Sequence, residues 1–142
     1  MRTGKLTAAV PAVATALIVA PAAVTGTAHA TGPEDPLLPH PGPGVLRWIP
    51  ERFGDGGAVS GGMSADRPTT VTVACQGGGE VLVTMEPDSA EAPAEFRAEC
   101  PAGTPGTGST VIPPGPERGF TVGVDASDQS VRWSLTVTVP DP

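Results

Sequence analysis

The chain has 142 residues, and its 19 Gly and 18 Pro together make up about a quarter of it, at the border between packed and low-complexity composition. There is no Asn, no Tyr and one Lys, and two Cys, three Met and two His leave little from which to build a metal or cofactor site. One small domain is the ceiling, no cofactor is expected, and the net charge of −7 argues against nucleic acid as a partner.

In chain order, the first 30 residues read as a secretory signal. Arg2 and Lys5 form a positive start, an apolar stretch runs from Leu6 to Val24, and Ala28-His29-Ala30 supplies the small-x-small pattern of a cleavage site. Pro11 and Pro21 interrupt the apolar stretch, and Ala is weakly hydrophobic for a permanent span, so cleavage after Ala30 is expected rather than anchoring. No Cys follows the cleavage site to carry a lipid, and the final residues, Val139-Pro140-Asp141-Pro142, are not a hydrophobic anchor. The expectation is a freely secreted, extracellular protein with no stable membrane insertion after cleavage. All 15 acidic residues follow Ala30 and six Arg accompany them, so the mature chain carries a net charge of −9.

Residues 31–68 contain seven Pro and eight Gly. Such a segment buries too little apolar surface to offset its ordering entropy, and a flexible arm is expected. One apolar island interrupts it at 45–53, with Val45, Leu46, Trp48, Ile49 and Phe53 bracketed by Gly44 and Gly54.

From Thr69 the sequence alternates with period two, the pattern of half-buried strands. Strands are expected at 69–75, 80–86, 94–100, 109–112, 119–125 and 131–139, with a glycine-rich turn at Gln76-Gly77-Gly78-Gly79. Glu91, Glu95 and Glu99 are also spaced for a helix face, but Pro93 lies inside that stretch and favours the strand. About six short strands joined by Gly/Pro turns predict an all-β domain over 69–142. The expected architecture is a small antiparallel sandwich with Ig-like or Greek-key links, with a small open barrel as the alternative.

A domain this small is marginal without a staple. Cys75 and Cys100 share the inward parity of their strands, and an even pair in a secreted chain reads as one structural disulfide. Trp133 has inward parity beside Val131 and Leu135 and is expected in the core. Trp48 lies outside the patterned region. Either the 45–53 island folds back over a sheet edge or an open end, or Trp48, Arg47 and Phe53 form a contact for a partner, since Trp and Arg dominate interface energetics.

The residues of a catalytic site do not converge. His40 sits between Pro39 and Pro41 in the arm, so a Ser/His/Asp set lacks a positioned imidazole. Glu95, Arg97 and Glu99 read as a solvated charge row, and Asp125 with Asp128 are too few carboxylates for a Ca²⁺ site. The Gly77–Gly79 turn lacks the Lys-Ser/Thr ending of a phosphate loop and precedes a strand. A platform of exposed aromatics for sugars is not expected either, because most of the five Trp and Phe are assigned to the core.

The runs Cys100-Pro101-Ala102-Gly103-Thr104, Gly119 to Ser127 and Val131 to Val137, in a Lys-poor chain rich in Ala, Gly, Pro and Val, resemble small secreted proteins of actinobacteria. The resemblance implies a β-sandwich export product and no particular activity. The subsequent expectation is a non-enzymatic binding or structural module, at the cell envelope or on another exported protein. The alternative is a secreted enzyme inhibitor or small-ligand carrier that uses the arm or the Gly115–Arg118 loop.

Overall fold

The computed structural model of the protein describes residues 35–142. The expected leader and its cleavage site after Ala30 lie outside these residues. Eight strands are formed, namely β1 (Val45–Phe53), β2 (Gly56–Met63), β3 (Thr69–Gln76), β4 (Glu80–Pro87), β5 (Ala94–Glu99), β6 (Gly106–Ile112), β7 (Arg118–Ala126) and β8 (Arg132–Thr138).

They make two antiparallel four-stranded sheets, β1-β8-β3-β6 (sheet I) and β2-β7-β4-β5 (sheet II). First pairs with last and so on inward: β1 with β8, β2 with β7, β3 with β6, β4 with β5. This nesting, as if one long hairpin had been wound over two sheets, is a jelly roll. The all-β sandwich and its Greek-key winding are as expected. The winding is not Ig-like, and there are eight strands where about six were expected.

The two additional strands come from the segment expected to be a flexible arm. Its island at 45–53 becomes β1, an edge strand of sheet I, where Pro50 is tolerated because an edge strand needs hydrogen bonds on one side only. Ile49 carries the island into the core. The Gly-rich run after it becomes β2, the edge of sheet II. Gly57 permits this by close approach: a Cβ there would lie 2.4 Å from the Val122 carbonyl oxygen.

Between the sheets, Val71, Val73, Trp133, Leu135 and Val137 of sheet I face Val81, Val83, Met85, Phe120, Val122 and Val124 of sheet II. Met63, Val131, Ile112, Ala98 and the Cys75 and Cys100 side chains belong to the same cluster. Each large apolar side chain buried this way stabilises the fold by about 1.5–3 kcal/mol relative to exposure.

Cys75 of β3 and Cys100, just after β5, are joined in a disulfide with Cα atoms 4.9 Å apart, so the bond links sheet I to sheet II. The β3–β4 turn lies against the same point. Gly77, Gly78 and Gly79 all have positive φ, and this lets Gly78 N–H donate to the Cys100 carbonyl at 2.7 Å while Gly79 accepts from Cys100 N–H at 2.9 Å.

Candidate binding surface on sheet I

The face of sheet I turned away from the core carries most of the residues singled out at the sequence level. Register fixes the faces. Trp48 stands opposite Thr136 and Phe53 opposite Arg132. Thr136, Ser134 and Arg132 alternate with the core residues Trp133, Leu135 and Val137, so both aromatics lie on the outer face.

Trp48 is half-buried there. Its Nε1 donates to the Leu38 carbonyl oxygen at 3.1 Å, and His40 meets the indole edge-on with ring centroids 4.9 Å apart. Residues 36–38, also half-buried, therefore pass across this face. Beneath them Ser134 is fully buried, and its Oγ donates to the Ile49 carbonyl at 3.0 Å. A hydroxyl on the non-core face of a sheet escapes a desolvation penalty only through such a partner.

Phe53 is 56% exposed and Arg47 is also exposed. The expected contact residues thus share one edge strand but not one face: Trp48 near its start and Phe53 at its end lie on the outer face, whereas Arg47 stands opposite the core residue Val137 and so projects to the other side of the strand. Trp48 and Phe53 are not in contact, because they lie five residues apart along a strand with a register shift between Ile49 and Arg52.

Several participants had no sequence signal. Arg132 stands between Phe53 of β1 and Gln76 of β3, its Cα partner on either side. It pairs with Glu51 at 3.4 Å. Gln76 Nε2 donates to the Ala102 carbonyl at 3.3 Å. Alternation placed Arg132 outward, but which residues flank it depends on strand order, which a single sequence does not encode. Next to Arg132 the β7–β8 turn is closed by Ser130, whose hydroxyl and backbone N–H donate to Asp128 Oδ1 at 2.6 and 2.8 Å. The hydroxyl first, then the backbone N–H, hold the Asp128 carboxyl below its ordinary value.

On sheet II the charge row is as expected. Glu95, Arg97 and Glu99 are exposed, and Arg97 pairs with Glu80 at 2.7 Å. The Gly115–Arg118 loop is organised differently from a free contact loop. The Arg118 side chain is only 3% exposed, meets Glu91 in an ion pair and donates from Nη1 to the Pro116 carbonyl at 2.7 Å. It clamps the loop to the β4–β5 connection.

No protein-family model matches the chain, and no curated protein matches it.

Proposed function

We propose that the protein is a secreted, non-enzymatic binding module whose contact surface is the outer face of sheet I along β1. The observation that supports this best is the placement of Phe53. It is a large aromatic side chain, 56% exposed, on the same face and strand as the half-buried Trp48, in a protein whose other Trp is wholly within the core. Exposed aromatic surface that the fold does not cover is retained at a cost in solubility, and aromatic anchors beside Arg are the residues that carry interface energy. The target in this reading is a component of the cell envelope or another exported protein. A small-ligand carrier is less well supported, because the space between the sheets is occupied by Trp133, Phe120, Met63, Met85 and Leu135.

The test is sedimentation of residues 31–142 with isolated cell envelope and, separately, capture from concentrated spent medium. Binding in either, reduced by Trp48→Ala or Phe53→Ala, supports the reading. Recovery of the protein alone from both would contradict it.

A further inference from the structure

Phe53, Arg132 and Gln76 are direct neighbours on three adjacent strands, β1, β8 and β3, and form one row across the end of sheet I. Two of the three, Gln76 and Arg132, line an open cleft of about 320 Å³ together with Gly77, Ala102 and Ser130, and Phe53 stands next to Arg132 outside that lining. We propose that this row and cleft bind a neutral saccharide. The proposal rests on the binding-module reading above and names its ligand class.

Three features select that chemistry. An exposed phenyl ring offers a flat apolar platform with a negative face, which suits the axial C–H groups on one side of a pyranose ring. Beside it the polar groups supply donors and acceptors together. Arg132, its side chain 18% exposed beside Glu51, lines the cleft and brings guanidinium N–H donors to it. Gln76, with Nε2 engaged by Ala102, presents its carbonyl oxygen. Ser130 donates its hydroxyl hydrogen bond to Asp128 and keeps oxygen lone pairs free to accept. A sugar hydroxyl is donor and acceptor at once and needs both kinds of partner, in the planar, fixed geometry of guanidinium and carboxamide groups.

Charge then separates neutral from acidic sugars. The Arg132 charge is balanced by Glu51 at 3.4 Å, and Asp128 is held ionised beside the cleft. Residues 31–142, with six Arg and 15 acidic residues, carry a net charge of −9, and their field disfavours an anionic glycan. The cleft volume lies at the lower end of the range for small-ligand sites, about 300–1,000 Å³, which suits one or two sugar units.

The test uses residues 31–142, which contain all eight strands and the disulfide. Calorimetric titration is made with glucose, galactose, mannose, N-acetylglucosamine and their short oligomers, with glucuronate as the charged comparison. Binding of at least one neutral sugar is expected, weakened about tenfold by Phe53→Ala and several-fold by Gln76→Ala, the size of effect that loss of one aromatic contact or one hydrogen bond gives. Val59→Ala, on sheet II, should leave the affinity unchanged. Absence of binding across the neutral set, preference for glucuronate, or binding indifferent to Phe53→Ala would each overturn the proposal. Sedimentation with envelope that persists in saturating neutral sugar would overturn it while leaving the binding-module reading intact. Sugar binding without sedimentation or capture from medium would uphold this proposal and overturn the envelope and exported-protein targets of the reading above.

Discussion

The indole Nε1 of Trp133 donates to the Gly54 carbonyl oxygen at 2.6 Å across 79 residues of sequence. Gly54 is the turn between β1 and β2, held from the other side by its N–H on the Val131 carbonyl at 3.0 Å. Strand β8, one of the two inner strands of sheet I, thereby fixes the point at which the chain crosses from one sheet to the other. Since Phe53 is the residue before that turn, the same hydrogen bond helps to set where the exposed ring stands.

Trp133 should accordingly be felt in both stability and surface. Trp133→Ala is expected to cost about 3–5 kcal/mol through the cavity it leaves. Trp133→Phe keeps much of the volume but orphans the Gly54 carbonyl, for about 1–3 kcal/mol. Urea unfolding measures both, and a Trp133→Ala protein that unfolds at the wild-type midpoint would show that the indole is not in the core.

The disulfide between Cys75 and Cys100 closes a loop with a sequence separation of 25. The chain-entropy relation values such a closure at about 3.5 kcal/mol, a large share of the stability of so small a domain. Reduction, or the Cys75→Ala/Cys100→Ala pair, should lower the thermal midpoint markedly. An unchanged midpoint in reductant, with loss of the bond confirmed by thiol titration, would contradict this.

Two glycines in strands should respond oppositely to a methyl group. A Cβ on Gly106 would lie 1.9 Å from the Glu99 carbonyl oxygen, whereas one on Gly123 meets nothing within 4 Å. Gly106→Ala therefore forces a backbone shift between β6 and the end of β5 and should cost about 1–3 kcal/mol or more. Gly123→Ala should be neutral or stabilise by up to about 1 kcal/mol through the unfolded chain's lost entropy. Equal midpoints for the two variants would refute the close approach.

Asp128 gives a pH signature. Its carboxyl is held below the ordinary value of 3.8 by hydrogen bonds from Ser130. A depressed folded-state pKa contributes stability that is fully present above the ordinary value and is lost as pH falls through the folded one. Ser130→Ala removes the larger cause, so the Asp128 carboxyl should titrate closer to 3.8, and the β7–β8 turn should lose part of its acid-range stability dependence. Carboxyl-detected NMR titration of the two proteins decides it, and identical curves would contradict the assignment.

Much of the second half of the fold is visible in sequence because burial on one face leaves a period-two trace. The expected strands at 69–75, 80–86 and 119–125 coincide with β3, β4 and β7 to within two residues at either end. Inward parity correctly identified Trp133, Cys75 and Cys100. The first half is not legible in the same way. β2 reads GGAVSGGM, and its pairing with β7 comes from backbone and close approach at Gly57 rather than from alternating side chains. β1 contains Pro50, a residue that argues against a central strand and says nothing against an edge. The proposed contact surface is legible only as a list of residues. Trp48, Arg47 and Phe53 could be singled out from their isolation in a Pro/Gly-rich segment. Their neighbours Arg132 and Gln76 become partners only through strand order, a long-range property that no local pattern carries.

The most direct test of the central claim, that the outer face of sheet I along β1 is where the protein binds, is residue-resolved NMR on residues 31–142. Spectra would be compared before and after addition of solubilised envelope fragments, and of spent medium stripped of this protein. Amide signals of Trp48, Phe53, Arg132 and Gln76 should broaden or shift first, while those of Leu82, Thr84 and Thr121 on the outer face of sheet II stay in place. Perturbation centred on sheet II, with β1 unaffected, would contradict it.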